Sequence, residues 1–180
     1  MAQTIRQTIA DEIVEFKLPR YESIPNVGLY LEQTVNYIAD YLEPLRETEI
    51  TSSMVSNYVK KKLVSNPVHK QYNREQIATL IFIAVTKSVL SLDSVRVLLN
   101  IRQNNYSAEI AYNSFCEELE NSIKHVFGLL QKSGSVKNAD DAERARKNEE
   151  QNILRSTTVA VAHKVYLDQW IGKYATSQEE

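Results

Sequence analysis

The sequence predicts an all-α protein that carries one small β-hairpin. The chain has 180 residues but only 4 Gly and 4 Pro, and such a scarcity of chain-breaking residues favours a mostly helical fold. Apolar residues recur at helical spacing along most of the chain. Residues 63–72 instead alternate apolar and polar side chains around an Asn66-Pro67 break, which is typical of a short hairpin.

Two helices are predicted before the hairpin region. The first, over residues 4–16, has Ile5, Ile9, Ile13 and Phe16 at helical spacing. Pro19 and Pro25 bracket an irregular link after it. The second is expected to start near Asn26 and to stop before Pro44, with an inner stripe formed by Leu31, Val35, Ile38 and Leu42.

Three capping signals place the next helices. Thr51 is a suitable N-cap for a helix that runs to about Lys62, with Met54, Val55 and Tyr58 facing inward. Asn73 followed by Gln76 matches a capping box. It opens a very apolar helix whose core residues are Ile77, Leu80, Ile81, Ala84 and Val85. Ser91 caps a further helix with Leu92, Val95, Leu98 and Leu99 on its inner side.

The C-terminal region has a different pattern. A long amphipathic helix is predicted over residues 108–130, with Phe115, Leu119, Ile123 and Phe127 spaced by four. An exposed loop around Gly134 follows. The last helix, over residues 153–174, is apolar on more than one side, which indicates internal packing or a subunit interface. We therefore divide the chain into an N-terminal helix and link (1–25), a central domain (26–100) and a C-terminal helical region (101–180) used for packing or dimerisation.

Positive charge is concentrated in the central domain. Residues 50–74 contain four lysines and Arg74 but no acid, a local charge of +5. The other residues include 16 basic and 23 acidic side chains, a net −7, within a chain of net charge −2. A local concentration of this kind is what phosphate binding requires.

The helix that begins at Thr51 fits the geometry of a DNA-recognition helix. Ser53, Ser56, Asn57 and Lys60 share its outer face, opposite the apolar residues. Asn can bond the donor and acceptor of adenine, and lysines contact phosphates. The order helix, turn, basic helix, hairpin and apolar helix predicts a winged helix-turn-helix over about residues 31–99. The predicted DNA-binding residues are Thr51, Ser52, Ser53, Ser56, Asn57, Lys60, Lys61, Lys62, His69, Lys70, Gln71 and Arg74.

Several blocks of this region resemble known families. TSSMVSNYVKKKLV, HKQYNREQIATLIFI and VLSLDSVRVLL are similar to successive blocks of the MerR-like winged-helix family. The stretch 29–100 resembles the bacterial domain of unknown function 1836 family. It shares the family's Leu29-Tyr30 start, its Asn57-Tyr58-Val59-Lys60 centre and its Leu90-Ser91 helix start.

The resemblance implies a sequence-specific, non-enzymatic regulator of transcription that binds double-stranded DNA. A homodimer is a further hypothesis, because two-fold symmetry would double the contacts on a palindromic site. MerR-type proteins bind inducers in their C-terminal part, so the resemblance makes Tyr166, Trp170 and Tyr174 candidates for an effector pocket. The alternative, which we favour, is that these aromatics pack in a helical core or a dimer. The chain departs from MerR-type regulators where Ser56 and Asn57 replace an arginine and an aromatic residue. It also has Lys62 in place of a glycine and Lys70 in place of an arginine. Lysine keeps a phosphate contact but lacks the bidentate fork of arginine.

Two other hypotheses compete with that of a DNA-binding regulator. One is a winged-helix protein-interaction module without DNA binding, which the modest overall charge and the missing arginines favour. The other is a ligand-sensing helical protein whose C-terminal half is the active part. The sequence shows no nucleophile motif or Gly-rich phosphate loop, so we expect neither an enzyme nor a cofactor.

The remaining reactive side chains have structural interpretations. We expect Cys116 to be a packed thiol, and the dispersed His69, His125 and His163 not to bind metal. Glu117, Glu118 and Glu120 are interpreted as solvating charges. The single cysteine, together with the lack of a signal core or membrane span, predicts a cytoplasmic protein.

Overall fold

The computed structural model describes residues 11–46, 48–126, 154–155, 157–166 and 169. Five helices are labelled α1 (Leu31–Leu42), α2 (Ser52–Lys60), α3 (Arg74–Thr86), α4 (Leu92–Asn105) and α5 (Ala108–Val126). Residues 11–13 and 157–166 are also helical. Short 3-10 turns cover Tyr21–Ser23 and Glu43–Leu45. The strands β1 (Leu29–Tyr30) and β2 (Gln71–Tyr72) pair antiparallel. The predicted mostly helical fold with a small β element is confirmed.

The capping residues act as their local sequence predicts. The Thr51 hydroxyl accepts from Met54 N at 3.3 Å, and the Ser91 hydroxyl accepts from Ser94 N at 3.2 Å. Asn73 Oδ1 accepts from Gln76 N at 2.9 Å while Gln76 Oε1 accepts from Asn73 N at 2.8 Å. Each cap satisfies a backbone donor that the first helical turn leaves without a partner.

The predicted start of the second helix is wrong by about five residues. Residues 26–28 form a bend and an irregular link, and Leu29 and Tyr30 form β1 opposite Tyr72 and Gln71. Gln33 Oε1 then accepts from Tyr30 N at 2.9 Å and closes the helix start. Gly28 permits the close strand approach, because a Cβ there would lie 2.7 Å from Gln71 Cβ.

The predicted hairpin is correct only at its tip. Val68 and Gln71 bond each other through both backbone pairs, Val68 N to Gln71 O at 3.1 Å and Gln71 N to Val68 O at 2.9 Å. Residues 63–67 form no strand. The partner of β2 is β1, which precedes α1 in the chain, so the sheet joins the hairpin tip to the start of α1.

Helix α3 lies at the centre of the core. Its residues from Gln76 to Thr86 are all buried, including the five apolar residues predicted for the core. Phe82 meets Phe115 of α5 edge to face, with ring centroids 5.0 Å apart. Val161 and Val165 of the C-terminal helical residues belong to the same apolar cluster. One core therefore draws on the N-terminal, central and C-terminal parts of the chain.

The interpretation of Glu120 as a solvating charge is wrong. Its side chain is only 6% exposed, and Oε1 and Oε2 accept from Arg20 Nη1 and Nη2, each at 2.7 Å. Leu18 N also donates to Oε1 at 3.0 Å. This forked pair fastens the link before α1 to α5, and the bond to Glu120 raises the pKa of Arg20.

The structure describes only part of the predicted C-terminal helical region. Helix α5 is described to Val126, and Phe127 and the loop around Gly134 lie outside the described residues. In the last predicted helix, residues 157–166 are helical, with Val161 and Val165 buried and Val159 at the surface. Leu167, Trp170, Ile171 and Tyr174 lie outside the described residues, as do residues 4–10 of the first predicted helix. Among the described helices, none has a stretch long and apolar enough to cross a membrane.

Candidate nucleic-acid interface

Helix α2 separates an apolar face from a polar face, as its residue spacing predicts. Val55 and Tyr58 are buried in the core, and burial raises the pKa of Tyr58. Ser53, Ser56, Asn57 and Lys60 are all exposed on the other side. The helix is therefore held by its inner face and leaves a polar surface free for a partner.

The C-terminus of α2 adopts a conformation that usually requires glycine. Leu63 N donates to Tyr58 O and Lys62 N to Val59 O, both at 2.9 Å, which is the hydrogen-bond pattern of a Schellman motif. Lys62 occupies its left-handed position with φ 57°. A side chain in this region costs about 1–2 kcal/mol relative to ordinary helical backbone.

Two adjacent residues at the tip of the hairpin also have left-handed backbone. His69 and Lys70, the central residues of the turn, have φ values of 51° and 64°. Positive φ at both positions defines a type I′ turn, for which Asn-Gly is the favoured pair. Both side chains are exposed. The turn therefore projects a histidine and a lysine from a backbone that suits small residues.

Three of the four described non-glycine residues with positive φ lie in the predicted basic site. The described non-glycine residues with positive φ are Arg46, Lys62, His69 and Lys70, so the last three all belong to the acid-free segment. Within the described chain, the lysines at positions 60, 61, 62 and 70 make no hydrogen bond or ion pair through their side chains. Their ammonium groups are available to an external anion.

Two polar contacts join the elements that carry these residues. Gln76 Nε2 donates to Ser65 O at 2.9 Å and to Asn66 O at 3.2 Å, so the chain between α2 and the turn is fastened to α3. Ser52 Oγ donates to Glu32 Oε1 at 2.7 Å, which joins the start of α2 to the first turn of α1. Because Tyr30 also pairs with Gln71, the start of α2 and the hairpin turn both contact the beginning of α1.

The predicted site residues do not all remain available to a ligand. Ser52 is engaged with Glu32, and Ser56 Oγ donates to Ser52 O at 2.8 Å. The Thr51 and Ser53 hydroxyls are 3.0 Å apart. The exposed polar surface without such contacts begins at Asn57 and continues through the lysines.

Arg74 has intramolecular partners. Its Nε donates to Ile24 O at 2.9 Å and its Nη2 to Glu22 O at 3.2 Å. The guanidinium lies over the Tyr21 ring, 5.7 Å from the centroid. These contacts fasten the link before α1 to the start of α3, and they give Arg74 a structural role that needs no phosphate.

Residues that sequence reasoning missed surround the site. The predicted site omitted Glu32, Tyr30 and Val68, although Tyr30 and Val68 are 53% and 67% exposed beside the turn. The capping-box pattern predicts only the contact that Gln76 makes through Oε1. Its second contact reaches residues eleven and ten positions earlier, and no local spacing encodes that distance.

The other candidate reactive groups lie in structural settings. Cys116 is fully buried, and burial raises the pKa of its thiol to about 12. Among the described residues, no cluster of three or more His, Cys, Asp and Glu side chains could hold a metal ion.

The comparisons with known proteins give one match. A family model described as Domain of unknown function (DUF1836) matches residues 19–115, more than half of the chain. The matched region contains all of α1 to α4, both strands and the basic turn. No curated protein and no solved structure matches the chain.

Proposed function

The chain belongs to the DUF1836 family, and we propose that it is a non-enzymatic, sequence-specific DNA-binding regulator of transcription with a MerR-like winged helix-turn-helix. Helix α2 serves as the recognition helix in the major groove, and the turn at residues 68–71 serves as the wing. The two lie on either side of the segment that Gln76 fastens to α3.

The observation that carries the proposal is the placement of basic side chains on strained backbone. Glycine would satisfy the left-handed conformation at Lys62 and Lys70 without steric cost. Backbone strain of this kind clusters at functional sites, where the side chain is used. The use that suits exposed ammonium groups without acidic partners is contact with phosphates.

The contacts available on α2 favour its C-terminal half as the base-reading part. The hydroxyls near its start are engaged within the protein, and the Glu32 carboxylate lies beside Ser52. A carboxylate near a phosphate is unfavourable, so the start of α2 is placed away from the DNA backbone. Asn57 then reads a base edge while Lys60 and Lys61 contact phosphates.

Salt-dependent DNA titrations test the proposal. Binding sites are selected from random duplexes with the full chain, and affinity is then measured by fluorescence anisotropy at several salt concentrations. The triple variant Lys60→Ala/Lys61→Ala/Lys70→Ala should weaken binding on every sequence and reduce the salt slope by about 0.9 per lost phosphate contact. Asn57→Ala should instead relax discrimination at one base by about 1–3 kcal/mol.

The control is a variant with the same change of net charge. Lys17, Lys124 and Arg155 lie outside the acid-free segment, and their replacement by Ala should leave affinity and slope as in the parent. If both triple variants weaken binding equally, overall charge and not this surface governs the interaction. If the lysine variant of the site binds as the parent does, the proposal is wrong.

An exposed apolar patch favours a second candidate, a protein-interaction module. Tyr30 and Val68 are 53% and 67% exposed at the sheet, and Val27, two residues before β1, is 73% exposed. Tyr30 and Val68 both lie opposite Gln71, so their side chains lie on the same face of the sheet. This candidate predicts that selection from random duplexes enriches no sequence. It also predicts that Val68→Ser changes partner binding without altering any residual DNA affinity.

Two further parts of the proposal concern assembly and regulation. A homodimer would present two recognition helices to a palindromic site, and sedimentation velocity at micromolar concentration distinguishes it from a monomer. A cytoplasmic location and a small-molecule effector complete the proposed regulator. Whether Trp170 and Tyr174 line an effector pocket concerns residues outside those that the structure describes.

A further inference from the structure

A small apolar cavity lies away from the basic surface, between α3, α4, α5 and the C-terminal helical residues. It has a volume of about 100 Å³ and is lined mainly by carbon atoms, with Phe82, Leu98, Ile101 and Leu154 among its walls. Ile110, on the α5 side, is 59% exposed. The cavity therefore reaches the surface beside α5 and is open to a small molecule.

The wall of this cavity also contains a buried cation. Arg102 is only 9% exposed, and its Nη2 donates to Thr79 Oγ1 at 3.1 Å. Its Nε is buried without a hydrogen-bond partner. A buried charge without a full set of acceptors is costly, and burial lowers the pKa of Arg102. The charge of Glu75 acts in the opposite direction, but no ion pair joins Glu75 to Arg102 among the described residues.

The arrangement differs from that of the other buried arginine contact. Arg20 has both nitrogens of its fork bonded to Glu120, whereas Arg102 has a single side-chain hydroxyl as its described partner. Thr79 does not require Arg102, because its own hydroxyl donates to Glu75 O at 2.8 Å. The Nε donor of Arg102 therefore serves no hydrogen bond within the described chain.

We propose that this cavity binds a short-chain organic carboxylate, with the carboxylate bonded to Arg102 and the hydrocarbon chain among Phe82, Leu98 and Ile101. An arginine beside an apolar chamber suits a ligand with one anionic end and one apolar end. At the roughly 30 Å³ that a water occupies in the liquid, the chamber holds about three or four heavy atoms. The three carbons beyond the carboxylate of a four-carbon acid fit this limit, and the carboxylate itself then lies at the Arg102 wall of the chamber. The inference does not depend on DNA binding.

Calorimetric titration of the full chain with butanoate and with butanamide tests the charge requirement. The two probes have nearly the same shape, and only butanoate is an anion. Butanoate should bind with a dissociation constant of about 0.1–1 mM, within the limit set by its few heavy atoms. Butanamide should bind at least about tenfold more weakly, because a charge-assisted bond to Arg102 is lost.

Three variants locate the site. Arg102→Met keeps the length of the side chain and removes the charge, so butanoate binding should fall by about tenfold or more. Ala111→Leu leaves Arg102 in place but fills the chamber, and it should weaken binding comparably. Arg96→Met makes the same replacement on α4 outside the cavity lining, and it should bind butanoate as the parent does.

Thermal unfolding without ligand separates a binding role from a structural one. Replacement of a poorly paired buried charge by an apolar side chain is often neutral or stabilising. Arg102→Met should therefore keep or raise the midpoint temperature while it loses butanoate binding. If Arg102→Met does not fold, Ala111→Leu and the butanamide comparison still decide the matter.

The proposal is overturned by any of three results. The first is that butanoate gives no heat of binding at about 10 mM, a concentration well above the expected dissociation constant. The second is that butanamide binds as tightly as butanoate. The third is that the Ala111→Leu variant binds butanoate with the affinity of the parent. Loss of DNA affinity has no bearing on these measurements, so failure here and failure of the proposed regulator are distinguishable.

Discussion

Arg20 and Lys62 both carry a full positive charge, but the protein surrounds them in opposite ways. Arg20 has relaxed extended backbone, with φ −68° and ψ 156°, and its side chain is bonded to Glu120 at two nitrogens. Lys62 has left-handed backbone with φ 57°, and its side chain is exposed. In the first region the backbone is unstrained and the charge is paired, whereas in the second both conditions are reversed.

The difference separates charges that hold the fold from charges that are available to a partner. The pair of Arg20 and Glu120 joins two segments of the core, so its removal should lower stability. The charges of Lys62 and Lys70 join nothing among the described residues, so removal of their side chains should not. Stability measurements on matched variants can therefore assign a cation to one region or the other.

The largest expected effect concerns the reactivity of the interior beside Arg20. Burial raises the pKa of Cys116 from its ordinary value of 9.0 to about 12. At pH 8 the reactive thiolate is then about a thousandfold scarcer in the folded than in the unfolded chain. Labelling with a disulfide reagent at pH 8 should be slow in buffer and fast in denaturant. Prompt labelling in buffer would show that this part of the core opens readily.

The next effect is the loss of the paired charge. Glu120→Gln leaves Arg20 partly buried without its anion and should reduce the free energy of unfolding by about 2 kcal/mol. This is less than for a fully buried pair, because the Arg20 side chain is 36% exposed. Urea unfolding measures the change. Glu117→Gln alters an exposed carboxylate on the same helix and should shift stability by under about 0.5 kcal/mol. Equal effects of the two substitutions would remove the distinction between the regions.

The smallest effect has the opposite sign. Lys62→Gly relieves the left-handed strain and should stabilise the protein by about 0.5–1 kcal/mol. Lys61→Gly removes the same charge one residue earlier, where φ is −79°, and should destabilise by a similar amount because glycine adds backbone entropy. Both variants should lose DNA affinity. A destabilising Lys62→Gly would mean that the lysine supports the fold after all.

Much of the fold could be predicted from short-range features. Thr51, Asn73, Gln76 and Ser91 form their caps within three residues of sequence, so the local pattern suffices to identify them. The outer face of α2 also follows from helical spacing alone. The start of α1 could not be predicted in this way, because β1 forms only when β2 lies beside it.

The candidate site was predictable in its residue types but not in its availability. Spacing placed Ser52, Ser56 and Arg74 on the correct elements. Their hydrogen bonds to Glu32, to the α2 backbone and to residues 22 and 24 depend on how those elements pack. Charge patterning identifies an arginine but does not show whether a backbone carbonyl already lies within its reach.

The sequence by itself determined the helical character of the chain, the caps at Thr51, Asn73 and Ser91 and the acid-free basic segment, because each depends on neighbours a few residues apart. Only the tertiary structure decided which charges are buried. Glu120 looks like any surface acid in the sequence, yet it lies against Arg20 from 100 residues earlier. The free energy of a charge depends on the solvent and partners around it, and those are determined only when distant helices pack together.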